Sequence, residues 1–332
     1  MTTNLEETTA IGNRSVYYEL VRYATLAASS HNTQCWQFKL ADRKISILPD
    51  LTRRCPAVDP DNHNLYASLG CATENLLIAA KTHGFEGTVE LQTEEATVKA
   101  IHIHLAKCSP VHSSLFDAIA ERQCARSIYD GQPLKDEALE LLKRAGTGER
   151  VSLILLTQKQ ALEAVRAYIT EGNTAQINEP AFVKELKSWI RFNLAEAVKK
   201  GDGLFSKSTG NPTAPHWLGS LLFDVAFSAK LENKKIAKQV RSSAGIAIFV
   251  SDKNDPTHWI ESGRCYQRFA LQAEALDIRT AFLNQPVEVA TLRSQFANYL
   301  GIGERRPDLV VRFGHGPKMP RSFRRPVEAV IV

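Results

Sequence analysis

Two groups of residues have the types and spacing needed to bind a ligand. One is a run of small polar side chains, Ser29-Ser30-His31-Asn32-Thr33-Gln34, which Cys35-Trp36 closes. The other is Arg122-Gln123-Cys124-Ala125-Arg126, which places two guanidinium groups four residues apart. Guanidinium groups make bidentate, charge-assisted hydrogen bonds with phosphate, so this pair indicates a phosphate site. The alternative is an ordinary surface salt bridge of the Glu121–Arg126 type.

The composition limits the class of protein. A chain of 332 residues with 44% hydrophobic and 23% charged residues is typical of a soluble globular protein of about two domains. No apolar run is long enough for a membrane helix, and residues 1–11 lack the pattern of a secretory signal. Six scattered cysteines without a C-x-x-C pair predict reduced thiols and a cytoplasmic location.

The charge pattern is mildly basic, with a net charge of +5. No basic stripe alternates with aromatic residues, so we do not expect nucleic-acid binding. Basic residues concentrate near the C-terminus, at Arg305-Arg306 and in Arg321-Ser322-Phe323-Arg324-Arg325. This cluster is either a solvated edge or part of an anion site.

An internal repeat is visible in the pattern of apolar residues. Residues 70–89 and 263–282 each indicate a long helix that leads into a strand. Aligned without a gap at an offset of 193, three positions correspond: Gly70 with Gly263, Ala80 with Ala273, and Phe85 with Ile278. Helical patterns at 17–28 and 135–145, each followed by strand patterns, form a second pair.

The order of elements predicts an α+β chain of two related halves, residues 1–110 and 111–332, joined near 108–118. Strands are predicted at 36–39, 45–48, 87–91, 98–105, 151–156, 245–250 and 308–313. The second half has extra material at about 168–238, including a predicted helix over 181–199. This insertion is either a lid over a site or additional packing.

The two halves complement each other. The first has the polar run but only Arg14 before its first helix. The second has the arginine pair, but Gly146-Thr147-Gly148-Glu149-Arg150 follows its helix in place of a polar run. One composite site per chain explains this division.

These motifs resemble those of the FMN-dependent nitroreductase superfamily. The segment from Ser29 to Trp36 resembles its S-S-x-N-x-Q-P-W segment, with Cys35 in place of proline, and Arg122 to Arg126 resembles its R-R/H-S/T-x-R/K phosphate motif. The C-terminal strand and basic tail are similar in Pro307-Asp308-Leu309-Val310-Val311-Arg312-Phe313-Gly314 and Arg324-Arg325-Pro326-Val327-Glu328.

The tandem arrangement resembles the Acg-like branch, in which one duplicated chain mimics the usual dimer. The segments similar to that branch are His258-Trp259-Ile260-Glu261-Ser262-Gly263-Arg264, Leu283-Asn284-Gln285-Pro286-Val287-Glu288, Glu185-Leu186-Lys187-Ser188-Trp189 and Asp202-Gly203-Leu204.

The resemblance implies an FMN site across the seam between the halves. Ser29, Ser30 and Asn32, with Gln34 beside them, would contact the isoalloxazine ring or ribityl chain. The phosphate would be bound by Arg122, Arg126 and Arg324, with Gln123 in the same motif and Arg325 or Arg321 as helpers. The backbone at Leu283 and Asn284 would contact flavin N5. No side chain is a compelling general acid, and no metal is implied.

The implied function is NAD(P)H-dependent reduction of nitro compounds, quinones or another small acceptor through FMN, by a monomeric pseudo-dimer or a homodimer of such chains. The alternative is a flavin-sequestering protein whose lid, through Trp217 or Phe205, covers the flavin. A third possibility is a degenerate protein that binds no flavin.

The other candidate residues give weaker indications of a function. His102 and His104 share one strand face and could chelate a metal, but no further ligand is evident, and a solvent-facing edge is favoured. His31 could titrate beside a ligand or make an ordinary hydrogen bond. Cys35 could be a nucleophile only if its pKa were lowered.

Overall fold

A computed structural model of the chain describes residues 15–332. The polar segment 1–11 and Arg14 lie outside the described residues.

The first half is a four-stranded antiparallel sheet with a long helix against it. Its strands lie in the order β1-β2-β4-β3. Alternating residues of β1 point into the core, where Trp36 and Phe38 are fully buried. The elements are α1 (15–25), β1 (Trp36–Ala41), β2 (Lys44–Pro49), α2 (His63–Thr82), β3 (Phe85–Glu94) and β4 (Thr97–Lys107).

The second half repeats this plan around a large insertion. Its strands lie in the order β5-β8-β10-β9, again all antiparallel. The elements outside the insertion are α3 (Ser114–Glu121), α4 (Asp136–Ala145), β5 (Val151–Leu156), β8 (Gly245–Ser251), α10 (Pro256–Ala275), β9 (Arg279–Phe282), α11 (Gln285–Glu288), α12 (Ala290–Leu300) and β10 (Arg306–Gly314).

Both sheets have one topology. In each half the four strands lie in the spatial order first, second, fourth, third, and the long helix follows the second strand. The predicted α+β chain of two related halves is therefore confirmed, and it forms a pseudo-dimer within one chain.

The long helices α2 and α10 cross at the centre of the pseudo-dimer. A Cβ on Gly70 would overlap the carbonyl oxygen of Ile260, and a Cβ on Gly263 would overlap that of Ala67. The two glycines are 193 positions apart, and so are Ala67 and Ile260, the residues that they contact. This separation equals the offset of the sequence repeat. The two glycines let the helix backbones touch along a pseudo-twofold axis.

This contact yields a prediction. Gly70→Ala and Gly263→Ala are each expected to destabilise the fold by about 3 kcal/mol, because each new methyl group meets backbone that cannot rotate away. Urea unfolding followed by circular dichroism measures the loss. Gln272→Ala, on the same helix α10 but away from this crossing, is the control and should change stability by less than about 0.5 kcal/mol. Equal effects of the two glycine variants would support the symmetry, and losses below about 1 kcal/mol would contradict the close packing.

The insertion lies between β5 and β8. It comprises α5 (Lys159–Ile177), α6 (Pro180–Trp189), β6 (Ile190–Arg191), α7 (Leu194–Lys200), β7 (Leu204–Phe205), α8 (His216–Ala226) and α9 (Ala229–Arg241). The single helix predicted over 181–199 is wrong. The chain leaves α6 to pair β6 with β7 in parallel, and this turns the buried Arg191 toward Asp202.

The strand with His102 and His104 also differs from its prediction. β4 pairs with β2 and β3 and is an interior strand, not an edge. The two histidines are nonetheless on the solvent-facing side of the sheet, where His102 Nδ1 lies 2.8 Å from Ser46 Oγ and His104 Nε2 lies 2.9 Å from Glu90 Oε2. No cluster of metal-ligating side chains occurs anywhere in residues 15–332.

Candidate functional site

A cavity of about 790 Å³ lies between the two halves and under the insertion. This volume is typical of pockets that hold a cofactor or drug-sized ligand. The first half lines it with Ala28–Asn32, Ala67, Ser68 and Cys71, and the second half with Arg122–Cys124, Arg126, Tyr266, Phe282, Asn284 and Gln285. The insertion adds an apolar wall that includes Phe192, Leu222, Phe223 and Phe227, and the C-terminal tail adds Arg321, Ser322 and Arg324.

Two arginines meet at one end of this cavity, where α1 ends. Arg122 Nη2 donates to the carbonyl oxygen of Leu26 at 3.3 Å, and Arg324 Nη2 donates to the same oxygen at 3.2 Å. Arg324 Nε also donates to Thr25 O at 2.8 Å. The last carbonyl groups of a helix lack intrahelical partners and carry partial negative charge, so the end of α1 positions both guanidinium groups.

The positive charge here is not balanced by the protein. Arg122 is 9% exposed, and its Nε and Nη1 are buried without a hydrogen-bond partner among the described residues. Within residues 15–332, no carboxylate pairs with Arg122, Arg126 or Arg324. Burial, together with the neighbouring Arg122, lowers the pKa of Arg324 to about 9. Buried donors are nearly always paired, so these unpaired groups fit a bound anion such as a phosphate.

The segment of the arginine pair runs as an extended strand-like connection. Cys124 forms a parallel bridge with Thr280 of β9, and Ala125 N donates to Thr280 O at 2.9 Å. Beneath it the buried Arg312 donates from Nη2 to the carbonyl oxygens of Ala125, at 3.0 Å, and Ser127, at 2.7 Å. These bonds fix the backbone that presents Arg122 and Arg126 to the cavity.

The alternative salt bridge between Glu121 and Arg126 does not form. Glu121 instead binds the C-terminal tail through Lys318, at 2.8 Å, and Arg321. These two partners lower the pKa of the Glu121 carboxyl to about 2. Gln123 Oε1 accepts from the backbone N–H of Met319. The residues beside the arginine pair therefore hold the tail that carries Arg324.

The polar run is a strained turn. His31, Asn32 and Gln34 have φ of 48°, 55° and 54°, in the left-handed region that non-glycine residues rarely adopt. Each such residue costs about 1–3 kcal/mol unless its surroundings stabilise it, and such strain clusters at functional sites. Ser29 supports the turn by accepting from Gln34 N at 3.0 Å through its Oγ.

The turn is held by the insertion and the tail. Asn32 Nδ2 donates to Gly203 O and to Phe323 O, both at 3.0 Å. Gln34 Nε2 donates to Gly201 O at 2.8 Å, and its Oε1 accepts from Arg325 N at 2.8 Å. The polar run thus joins three segments that are distant in sequence around the mouth of one cavity.

Most of the sequence-predicted residues come together. Eight of them line the cavity: Ser29, Ser30, Asn32, Arg122, Gln123, Arg126, Asn284 and Arg324. Gln34, Leu283 and Arg325 are not in its lining. Gln34 is fully buried behind it, and Leu283 donates its N–H to Val310 O at 2.8 Å in the core. Asn284 Oδ1 accepts from Val310 N at 2.9 Å, which fixes its position at the cavity wall.

Several cavity residues escaped the sequence-based assignment. Tyr266 packs on Phe282 with ring centroids 4.4 Å apart, and its hydroxyl has no partner among the described residues. Glu288 also lines the cavity, with Asn64 and Gln176 bonded to its carboxylate. Glu288 belongs to the motif that begins at Leu283, and its position one helical turn beyond Asn284 was an available signal.

Cys35 and His31, the two other candidate side chains, are both described by the structure. Cys35 is 1% exposed, and burial raises the pKa of its thiol to about 11, which excludes an activated nucleophile. His31 lines the cavity near Arg126. Desolvation and this arginine lower the pKa of the His31 imidazole to about 4, so the ring is neutral at physiological pH.

The pseudo-twofold axis relates the cavity to a second position between the halves. Charged side chains occupy that position. Ser68 and Cys71 line the cavity, and the positions 193 residues later are Glu261 and Arg264. Arg264 pairs with both Glu74 and Glu261 at 3.0 Å, and Arg268 pairs with Glu74 at 3.0 Å and Glu261 at 3.6 Å. This four-residue ion network occupies the position that the pseudo-twofold axis relates to the cavity.

Comparisons with known proteins follow this geometry. No protein-family model matches the chain. Solved structures that are similar include a nitroreductase with bound FMN from Bacteroides fragilis (TM-score 0.37, 12% identity, 62% of this chain, 90% of that chain). Another is oxidized iodotyrosine deiodinase bound to FMN and 3-iodo-L-tyrosine (TM-score 0.40, 11% identity, 63% of this chain, 95% of that chain).

The sequence relatives extend over almost the whole chain. Two Mycobacterium tuberculosis proteins, from strains CDC 1551 and H37Rv, are each 22% identical to this chain over 320 residues, which is 93% of this chain and 88% of theirs. Both are named "Putative NAD(P)H nitroreductase". The polar run and the arginine pair thus lie in one cavity of a chain that is similar, over almost its whole length, to two proteins named for NAD(P)H nitroreduction.

Proposed function

We propose that the chain is an FMN-binding oxidoreductase that uses NAD(P)H to reduce a small acceptor such as a nitro compound or a quinone. The observation that carries this proposal is the pair of unpaired guanidinium nitrogens of Arg122 inside a composite cavity. The relatives from Mycobacterium tuberculosis, named for NAD(P)H nitroreduction, support the same class of reaction.

The place of each residue in the cavity indicates which part of FMN it would contact. Arg122, Arg126 and Arg324 would bind the phosphate of FMN, since they form the cationic end of the cavity. Ser29, Ser30 and Asn32, at the seam between the halves, would contact the ribityl chain or ring. The wall with Tyr266 and Phe282 offers apolar surface for a flat ring system. Bound FMN would supply the hydride-transfer chemistry, which the protein itself lacks.

The residues of the turn also hold the parts of the site together. Because Asn32 uses both N–H groups of its amide on Gly203 and Phe323, it couples the cavity mouth to the insertion and the tail. We further propose that residues 168–238, the main part of the insertion, act as a lid, that the halves divide at about 110, and that the chain belongs to the Acg-like branch. Among residues 15–332, no helix combines the length and apolarity that crossing a bilayer requires. A monomeric pseudo-dimer in the cytoplasm fits this proposal.

A second candidate function is sequestration of the flavin. The C-terminal part of α8 favours it, because Leu222 and Phe223, with Phe227 just after the helix, form an apolar wall of the cavity. The two residues named for this role in the sequence do not contribute to that wall. Trp217 is 70% exposed, and Phe205 packs on Phe323 at 5.8 Å between centroids. The positions of these two residues favour catalysis.

The deciding experiment is a visible absorption spectrum of the purified, FMN-loaded chain under anaerobic conditions, before and after addition of NADPH or NADH. We expect a flavin spectrum that bleaches with the nucleotide and returns when a quinone is added. A spectrum that bleaches with dithionite alone would favour sequestration. A chain that takes up no FMN at all would overturn the proposal.

A further inference from the structure

Glu288 lies in a wall that separates two cavities. One is the main cavity, and the other is a smaller cavity of about 360 Å³ on the far side of α11. Glu288 and Asn64 line both. We propose that Glu288 is the proton donor of this site, which passes a proton to the acceptor reduced in the main cavity. This inference rests on the proposed function.

The hydrogen bonds of Glu288 direct a proton toward the cavities. Its Oε1 accepts from Asn64 Nδ2 at 3.2 Å, and its Oε2 accepts from Gln176 Nε2 at 2.7 Å. Both amides therefore act as donors. A protonated Glu288 has one O–H to donate, and neither amide group accepts it in this arrangement. With the two amides in these orientations, the O–H donates into the space on either side, which is where an acceptor molecule or water would lie.

The surroundings of Glu288 bring its titration to neutral pH, where both the protonated and the ionised form are populated. Burial raises the pKa of the Glu288 carboxyl to about 7, and the negative charge of Asp59 adds to this effect. The acidic, basic and imidazole side chains that face the smaller cavity are Asp59, Asp61, His63, Arg293 and Arg306, with Asp308 bonded to the last. Helix α5 presents only the uncharged Asn173 and Gln176 to the main cavity on this side. A group whose pKa matches the working pH is suited to proton transfer.

The smaller cavity gives the carboxylate a way to recover its proton. Asp61 lies in its lining, and the Asp61 side chain is 39% exposed. Asp59, also in this lining, offers a further carboxyl group. Protons from solvent therefore reach Glu288 from the side opposite to the acceptor, while the acceptor occupies the main cavity.

The step balances for a quinone. Reduction to the hydroquinone takes one hydride and one proton. NAD(P)H is oxidised and provides the hydride by way of the proposed flavin, and the Glu288 carboxyl provides the proton. Its O–H bond breaks, an O–H bond forms on a quinone oxygen, and the carboxylate then takes a proton from water in the smaller cavity.

The test compares Glu288→Gln with Glu171→Gln, an exposed glutamate on α5. In the apoprotein, infrared difference spectra between pH 5 and pH 9 should show a carboxyl that titrates near pH 7, present in the wild type and Glu171→Gln and absent in Glu288→Gln. In the FMN-loaded protein, Glu288→Gln should lower kcat for quinone reduction about 100-fold with little change in KM, the range expected for a lost general acid. Reduction of the flavin by NADPH should be unchanged.

A Glu288→Gln variant that keeps the wild-type kcat and pH profile would overturn the inference. So would the absence of a carboxyl that titrates near pH 7 in a chain that binds FMN, and in that case the proposed function stands. A chain that shows this titration but binds no FMN would overturn the proposed function, and with it the role of Glu288 as donor.

Discussion

Arg122→Leu is expected to weaken FMN binding about 100-fold, equivalent to about 2.7 kcal/mol. Arg122 Nε and Nη1 are buried and have no protein partner, so the variant loses a charge-assisted contact that only a ligand can provide. The apoprotein should be at least as stable as the wild type, because the substitution removes an uncompensated buried charge beside Arg324. Fluorescence titration with FMN measures the affinity, and urea unfolding of the apoprotein measures the stability.

A titration with riboflavin tests whether Arg122 contacts the phosphate of FMN. Riboflavin lacks the phosphate, so the wild type should bind it more weakly than FMN, and Arg122→Leu should bind both about equally. Arg144→Ala, which removes an exposed arginine on α4, is the matched control and should leave both affinities unchanged. If Arg122→Leu bound FMN as tightly as the wild type, the phosphate would lie elsewhere in the cavity.

Asp202→Ala is expected to destabilise the fold by about 3–5 kcal/mol, the cost of leaving a buried arginine without its counter-charge. Asp202 Oδ1 accepts from Arg191 Nε at 3.0 Å and from Arg191 Nη2 at 2.6 Å, and its other oxygen pairs with Arg53. Arg191 is only 6% exposed, so water cannot replace the carboxylate. Thermal and urea unfolding of the apoprotein report the loss.

Asp202→Ala should also weaken ligand binding in the cavity. Asp202 precedes Gly203, whose carbonyl oxygen binds Asn32, so loss of the ion pair should loosen the strained turn and weaken FMN binding. Asp224→Ala provides the control in the same insertion. It removes an exposed ion pair with Lys187, 2.6 Å long, whose loss should cost less than about 1 kcal/mol. An Asp202→Ala variant as stable as Asp224→Ala would show that the buried pair contributes little.

The sequence predicts well those features that depend on local spacing. The long helices around Gly70 and Gly263 follow from a periodic apolar pattern, and their common offset of 193 reappears as a reciprocal backbone contact. The arginine pair predicts a phosphate site because guanidinium chemistry is a property of residue type, and this assignment stays a prediction. In both cases the signal lies within about 20 consecutive residues.

Features that depend on distant partners were not predictable. The break after Trp189 arises because Ile190-Arg191 pairs with Leu204-Phe205, an arrangement that the helical pattern over 181–199 conceals. The left-handed backbone at His31, Asn32 and Gln34 is stabilised by the insertion and the tail, and no glycine marks it. The pKa of Glu288 likewise depends on burial and on amides far away in the chain.

The ion network of Glu74, Glu261, Arg264 and Arg268 has a consequence for how the chain responds to its ligand. A symmetric dimer with two flavin sites can show cooperativity or half-of-sites behaviour, because occupancy of one site can alter the other. Here the mirrored position is permanently occupied by side chains. Saturation should therefore follow a simple hyperbola with a Hill coefficient of one, and the fold keeps a dimer's architecture while behaving as a single independent binding unit.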